Sequence, residues 1–141
     1  MEIKNKINKT ELAQIYEISK EQFNEESWNL NQFESSYNSP SSIFLVIKES
    51  EKVVSFILAM DLIDSINLLL IATKENYKRR GFSKQLINCL KQYNKKIWLE
   101  VKEGNSPARK LYEGLGFKEI YTRKKYYSNG ENAIIYELEN Y

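Results

Sequence analysis

The chain has 141 residues, 42% hydrophobic and 28% charged, with a formal charge of +2, which suits one domain with its own core and gives little reason to expect a nucleic-acid binder held by bulk charge. It contains no histidine, so Ser-His-Asp and Cys-His nucleophile systems and His-ligated zinc or iron are excluded. A single cysteine forbids an intramolecular disulfide and fits a reducing compartment.

The first residues, Met1 to Lys6, lack the apolar run of a signal peptide, and Ser55 to Met60 and Leu68 to Ala72 are too short to span a bilayer. A cytoplasmic protein is expected, with no membrane partner. Thr10 is placed to cap a helix carrying Leu12, Ile15, Tyr16 and Phe23, and Asn29 to cap a shorter one through Phe33 to Tyr37. Ile43 to Lys48 and Val53 to Met60 read as a hairpin, followed by a strand over Ile66 to Thr73. Helical spacing returns after Gly81, where Leu86, Ile87, Leu90 and Tyr93 form an apolar stripe. Cys89, between Ile87 and Leu90, reads as core packing rather than as a covalent acyl carrier. Ile97 to Val101 is a short strand, and Ser106-Pro107 a cap with proline at the first helical position of a helix ending near Gly114 or Gly116. Glu119 to Tyr127 and Ala133 to Leu138 flank Ser128-Asn129-Gly130 as a final hairpin. The fold class is α/β with a mixed sheet, one domain over residues 1–141.

Chemistry concentrates between Tyr77 and Tyr112. A strand, a glycine turn and a helix converge free backbone N–H groups and the positive end of a helix dipole on one point, which suits phosphate. Gly81 permits close approach, and Arg79, Arg80 and Lys84 add charge. A solvated basic turn before a surface helix is the plainer reading of the same residues. Neither a Walker sequence nor a three-glycine dinucleotide fingerprint is present. Glu100 interrupts an apolar strand, and a carboxylate desolvated there is the kind that serves as a general base; a solvated strand face accounts for it equally well. Tyr112 in the next helix is a packing residue or a proton donor. Asp61 and Asp64 are the only aspartates and lie on one turn, so no carboxylate cage for a metal is expected.

The joint spacing resembles the GNAT N-acetyltransferases, and within them the RimI-type ribosomal-protein-alanine acetyltransferases. Lys78-Arg79-Arg80-Gly81-Phe82-Ser83 matches the spacing of the family's acetyl-CoA loop, Gln/Arg-x-x-Gly-x-Gly/Ala, with Lys78 and Ser83 as departures. Ile97 to Lys102, Asn105, Leu111-Tyr112-Glu113 and Leu115-Gly116-Phe117 match the more selective RimI-type segment. Trp28 with Phe33 resembles the entry to the family's second helix. The final hairpin, Arg123 to Ile135, resembles its Arg-x-x-Tyr-Tyr-x-x-Gly-Glu-Asp-Ala segment, with Asn132 at the aspartate position. The stretch from Gly81 to Glu100 is shorter than in familiar members.

The resemblance implies the element order β-α-α-β-β-β-α-β-α-β-β, with a V-shaped splay between the fourth and fifth strands holding acetyl-CoA. Ile71, Ala72 and Thr73 would meet the pantetheine and acetyl arm, Arg79, Arg80, Gly81, Phe82, Ser83 and Lys84 the pyrophosphate, and Asn105 would also contact the cofactor. It implies direct acetyl transfer, with Glu100 taking the amine proton through water and Tyr112 protonating the thiolate, and no metal. Trp28, Tyr126 and Tyr127 are the acceptor-side candidates, although the two tyrosines are equally suited to covering the sheet. The implied acceptor is the N-terminus of a ribosomal protein, with no DNA partner. A lysine side chain or small amine as acceptor, or a non-enzymatic RNA- or ribosome-binding module built on the basic and aromatic patches, are the competing readings.

Overall fold

The computed structural model describes residues 2–139. Strands β1 (Glu2–Lys4), β2 (Ser42–Glu49), β3 (Lys52–Asp61), β4 (Ser65–Thr73), β5 (Lys96–Lys102), β6 (Lys118–Arg123) and β7 (Ala133–Leu138) are interleaved with helices α1 (Lys9–Phe23), α2 (Leu30–Tyr37), α3 (Phe82–Leu90) and α4 (Ser106–Gly114). The element order is the expected one. The strands form a single sheet in the order β1-β2-β3-β4-β5-β7-β6. Every neighbouring pair is antiparallel except β4 and β5.

Period-two alternation divides the side chains of the sheet between two cores. On one face Ile43, Leu45 and Ile47 pack with Phe82, Leu86, Ile87 and Leu90 of α3, with Tyr112 of α4 against them. On the other, Phe44 and Val46 pack with Leu12, Ile15 and Ile18 of α1 and Phe33 of α2.

The parallel pair is short. Ser65, Ile66 and Asn67 oppose Lys96, Ile97 and Trp98, yet β4 runs on to Thr73 and β5 to Lys102. The cause lies on the far side of β4. Leu58 of β3 opposes Leu70 while Ala59 opposes Leu68, so Leu69 is an extra residue, and such a bulge bends its strand and sharpens its twist. The bend begins just past the last β4–β5 rung, and the V-shaped splay opens there.

Four local expectations are corrected. Asn8, not Thr10, caps α1: its side chain accepts from the Glu11 N–H at 2.9 Å while Glu11 accepts from the Asn8 N–H at 2.9 Å, a complete capping box. Asn105, not Ser106, caps α4, accepting from the Ala108 N–H at 3.3 Å, which moves Pro107 one position further into the helix. Tyr93 leaves the apolar stripe and is 38% exposed, because α3 stops at Leu90 and a 3₁₀ turn, Lys91–Tyr93, changes the helical period. The last hairpin keeps its Asn129-Gly130 turn, closed by the Gly130 N–H on the Tyr127 carbonyl at 2.9 Å and the Tyr127 N–H on the Glu131 carbonyl at 3.1 Å, but its first strand stops short of Tyr127. Strand β6 ends at Arg123, paired with Ala133, and the Lys125 N–H bonds to the Asn132 side chain at 2.8 Å instead of continuing the ladder.

Glu11 also fastens α1 to the sheet. Its carboxylate is 1% exposed and accepts from Lys48 at 2.7 Å and Lys4 at 2.9 Å. Burial alone would push its pKa up, but these hydrogen bonds and that from Asn8 outweigh it and hold the value at about 2. The helix so anchored delivers its last residues, Gln22 and Phe23, to the site.

Candidate active site

A cavity of ≈810 Å³ lies where the C-terminal end of β4, the N-terminus of α3, the face of α4 and the end of α1 meet. That is ample for a large ligand. Ten of the expected residues line it: Ile71, Ala72, Thr73, Arg79, Gly81, Phe82, Ser83, Lys84, Asn105 and Tyr112.

The rim at α3 owes its shape to two left-handed residues. Arg79 has φ 67° and Gly81 φ 79°, a turn that costs an L-residue conformational energy and that glycine adopts freely. Gly81 contributes no side-chain cap. The first intrahelical bond runs from the Gln85 N–H to the Gly81 carbonyl at 3.0 Å, so the N–H groups of Phe82, Ser83 and Lys84 lack helical acceptors. A Cβ built at Gly81 meets nothing within 4 Å. Free donors, the helix dipole, Arg79 and Lys84 therefore share one open space, the requirements of a polyanion cradle. Arg80 turns elsewhere: its guanidinium lies 4.8 Å from the Tyr77 ring centroid and 3.8 Å from Glu49.

Tyr112 is half-buried on α4, its ring packed edge-on against Phe117 at 5.8 Å and tilted against Tyr136 at 6.5 Å. Burial pushes its pKa up to about 12. The phenol therefore stays protonated at neutral pH, the state required of a donor. A phenol held in that state gives up its proton reluctantly and is better suited to donating a hydrogen bond to a developing anion.

Glu100 is not on the cavity wall. Ile97, Leu99 and Val101 bury toward α3 and α4, so alternation turns Trp98, Glu100 and Lys102 to the other face. The Glu100 side chain is 27% exposed and faces Arg123 at 3.4 Å. Lys102 reaches Glu26 at 3.3 Å and lies 5.5 Å from the Tyr127 ring centroid. Tyr126 stacks edge-on against Tyr127 at 5.3 Å, with Arg123 5.3 Å from the Tyr126 ring centroid. Burial, then the nearby Glu100 carboxylate, pushes the Tyr127 phenol up. Glu100 and the two tyrosines thus form one group. Trp28 stands apart, tilted on Phe33 at 5.5 Å within the α1–α2 core. Asn132 donates to Glu103 at 3.5 Å; an aspartate there would oppose a second carboxylate.

Tyr112 and Glu100 therefore occupy opposite faces of the sheet, on elements that flank the β4–β5 opening. Sequence reasoning missed Gln22, Phe23 and Glu26, which line the cavity from the end of α1 and the turn after it. No local pattern marks them; only the fold carries that segment across β4. It also missed Lys110, one turn along α4 from Asn105 and Ser106 and on the cavity face.

Comparisons with known proteins agree with this architecture. The model of the acetyltransferase (GNAT) family matches residues 12–117. The [ribosomal protein bS18]-alanine N-acetyltransferase of Haemophilus influenzae is 34% identical over 146 aligned positions, covering 96% of this chain and 97% of that protein. The crystal structure of the ribosomal-protein-S18-alanine N-acetyltransferase from Escherichia coli superposes with a TM-score of 0.83 at 28% identity, covering 99% and 93% of the two chains. Arabidopsis thaliana NAA60, solved in complex with acetyl-CoA, shares the fold at 18% identity, with a TM-score of 0.78 and 96% of each chain covered. From the family match across most of its length and a relative aligned nearly end to end, this chain belongs to the GNAT acetyltransferases.

Proposed function

We propose that this chain transfers acetyl from acetyl-CoA directly to the N-terminal α-amino group of a ribosomal protein, in the cytoplasm. The observation that carries the reading is the β4–β5 opening, beside which Glu26 both lines the basic cavity and pairs with Lys102 on the face bearing Glu100. The residues present fit acetyl-CoA: free N–H groups of the α3 first turn, Arg79 and Lys84 suit a pyrophosphate, and the unpaired edge of β4 along Ile71 to Thr73 suits the amides of pantetheine. Acetyl-CoA supplies an activated thioester. The chain supplies position and protons. Tyr112 keeps its proton and donates toward the sulfur, while Glu100, a neighbour of Tyr127, accepts the amine proton through water. Asn105 spends its side-chain oxygen on capping α4, so its part in binding is to hold that helix against the cavity. Tyr126 and Tyr127 border the acceptor path; Trp28 supports it from the core.

The relatives' names support the α-amino acceptor: the Haemophilus influenzae protein acts on the alanine of ribosomal protein bS18. An α-amino group titrates near pH 8, against about 10.4 for a lysine side chain. A half-exposed base beside a guanidinium suits the less demanding amine.

The test combines binding, turnover and mapping. Calorimetry should show saturable acetyl-CoA binding. Glu100→Gln should lower kcat on the order of a hundredfold with acetyl-CoA affinity within twofold, and Tyr112→Phe should lower kcat by a similar order. Peptide mapping of an acetylated ribosomal extract should find the new acetyl group on an N-terminus. Acetyl groups confined to lysine side chains or polyamines would sink the acceptor assignment, and steeply salt-dependent RNA binding without acetyl-CoA affinity would sink the enzyme.

A further inference from the structure

Tyr136 of β7 is fully buried, yet its hydroxyl has two polar partners. It accepts from Arg109 Nε at 3.0 Å and donates to Glu113 Oε2 at 2.7 Å. Both partners belong to α4, four residues apart, and so lie on one side of that helix. Arg109 is held in turn by the Glu103 carbonyl at 2.9 Å and the Glu119 carboxylate at 3.2 Å. The Tyr136 ring contacts the Tyr112 ring from the same position.

The helix has only nine residues and no fully buried side chain of its own. Apolar contact is non-directional and resists rotation of a short helix about its axis weakly. Two hydrogen bonds converging on one buried oxygen, one turn apart, fix that rotation. Tyr112 lies on the same helix, directly before Glu113, so its hydroxyl moves with any change in the setting. A displacement of about 1 Å at a reacting geometry is enough to cost about a hundredfold in rate.

We infer that Tyr136, with Arg109 and Glu113, is a positioning residue for the reaction: its hydroxyl sets the rotation of α4 and thereby the place of the Tyr112 hydroxyl in the cavity. The inference rests on Tyr112 as the hydrogen-bond donor to the thioester sulfur. Arg109, Glu113 and Tyr136 have no contact with the transferred group in this scheme. Their effect passes through Tyr112 alone.

A double-mutant cycle tests this, measured on the intact protein with acetyl-CoA and a peptide carrying the N-terminal residues of bS18 from the same organism. Tyr136→Phe removes one oxygen and keeps the ring. It should lower kcat about tenfold with KM for acetyl-CoA within twofold. In the Tyr112→Phe background the same change should cost nothing further in kcat, while the drop in Tm is the same in both backgrounds. Glu113→Ala, which releases the clamp from its solvent side, should repeat the pattern if Tyr136→Phe folds poorly. An equal loss of kcat in both backgrounds, or a loss confined to Tm, overturns the inference and leaves the role of Tyr112 as hydrogen-bond donor standing. Full activity of Tyr112→Phe overturns that assignment and this inference with it.

Discussion

The two ends of the β4–β5 opening are made of different material. The cavity end is built from main chain: a left-handed turn at Arg79 and Gly81, three unpaired N–H groups, and the free edge of β4. The opposite end is built from long side chains delivered by β5, β6 and the β6–β7 connection, and its charges already satisfy one another in the pairs Glu100–Arg123 and Lys102–Glu26. Backbone sites are fixed by local conformation and tolerate side-chain change. Side-chain sites are set by tertiary placement and are retuned by single substitutions. One end is suited to a constant ligand and the other to a variable one.

Breaking that contrast at its stiffest point should give the largest effect. Gly81→Val places a β-branched residue at φ 79°, at a conformational cost of roughly 1–2 kcal/mol, with methyl groups in the open space of the cradle. The acetyl-CoA Kd should rise on the order of thirtyfold by calorimetry, with acceptor KM unchanged. An unaltered Kd would mean that main chain is not what binds. At the other end, Arg123→Ala should raise acceptor KM about tenfold and leave acetyl-CoA affinity and Tm nearly constant, because a half-exposed ion pair contributes about 0–1 kcal/mol to stability. A loss of acetyl-CoA affinity there would join the two ends into one. The smallest effect belongs to Lys84→Ala, which removes one charge from a rim that keeps its N–H donors. About fivefold weaker binding, with a shallower salt dependence, is expected; a loss as large as that from Gly81→Val would move the cradle from backbone to side chain.

The same contrast governs how much was legible in the chain. The turn at Gly81, the stripe of Leu86, Ile87 and Leu90, and the β2–β3 hairpin were readable because a few adjacent residues decide each. The caps were misread by one or two positions because Thr10 and Ser106 are also good caps; the reciprocal bond from Glu11 to Asn8 selects between candidates, and it is a pair property rather than a residue property. The turn at Asn129-Gly130 was legible, but the strand before it was drawn too long because Asn132 takes the Lys125 N–H from the ladder. The spacing of Glu100 and Tyr112 was legible, but their separation onto opposite faces depends on strand parity and on the packing of α4. Glu26, beside the cavity yet paired with Lys102, was invisible, since its neighbours come from a strand far along the chain.

The bulge at Leu69 leaves a sheet with rungs missing on one side of β4 beyond Asn67. Any ligand whose own amides fill that gap completes the ladder, so occupancy and folding stability become one equilibrium. At a ligand concentration a hundred times its Kd, the folded state gains about 2.7 kcal/mol, a large share of what holds a domain of this size together. Resistance to unfolding and to proteolysis would then rise and fall with the concentration of that ligand.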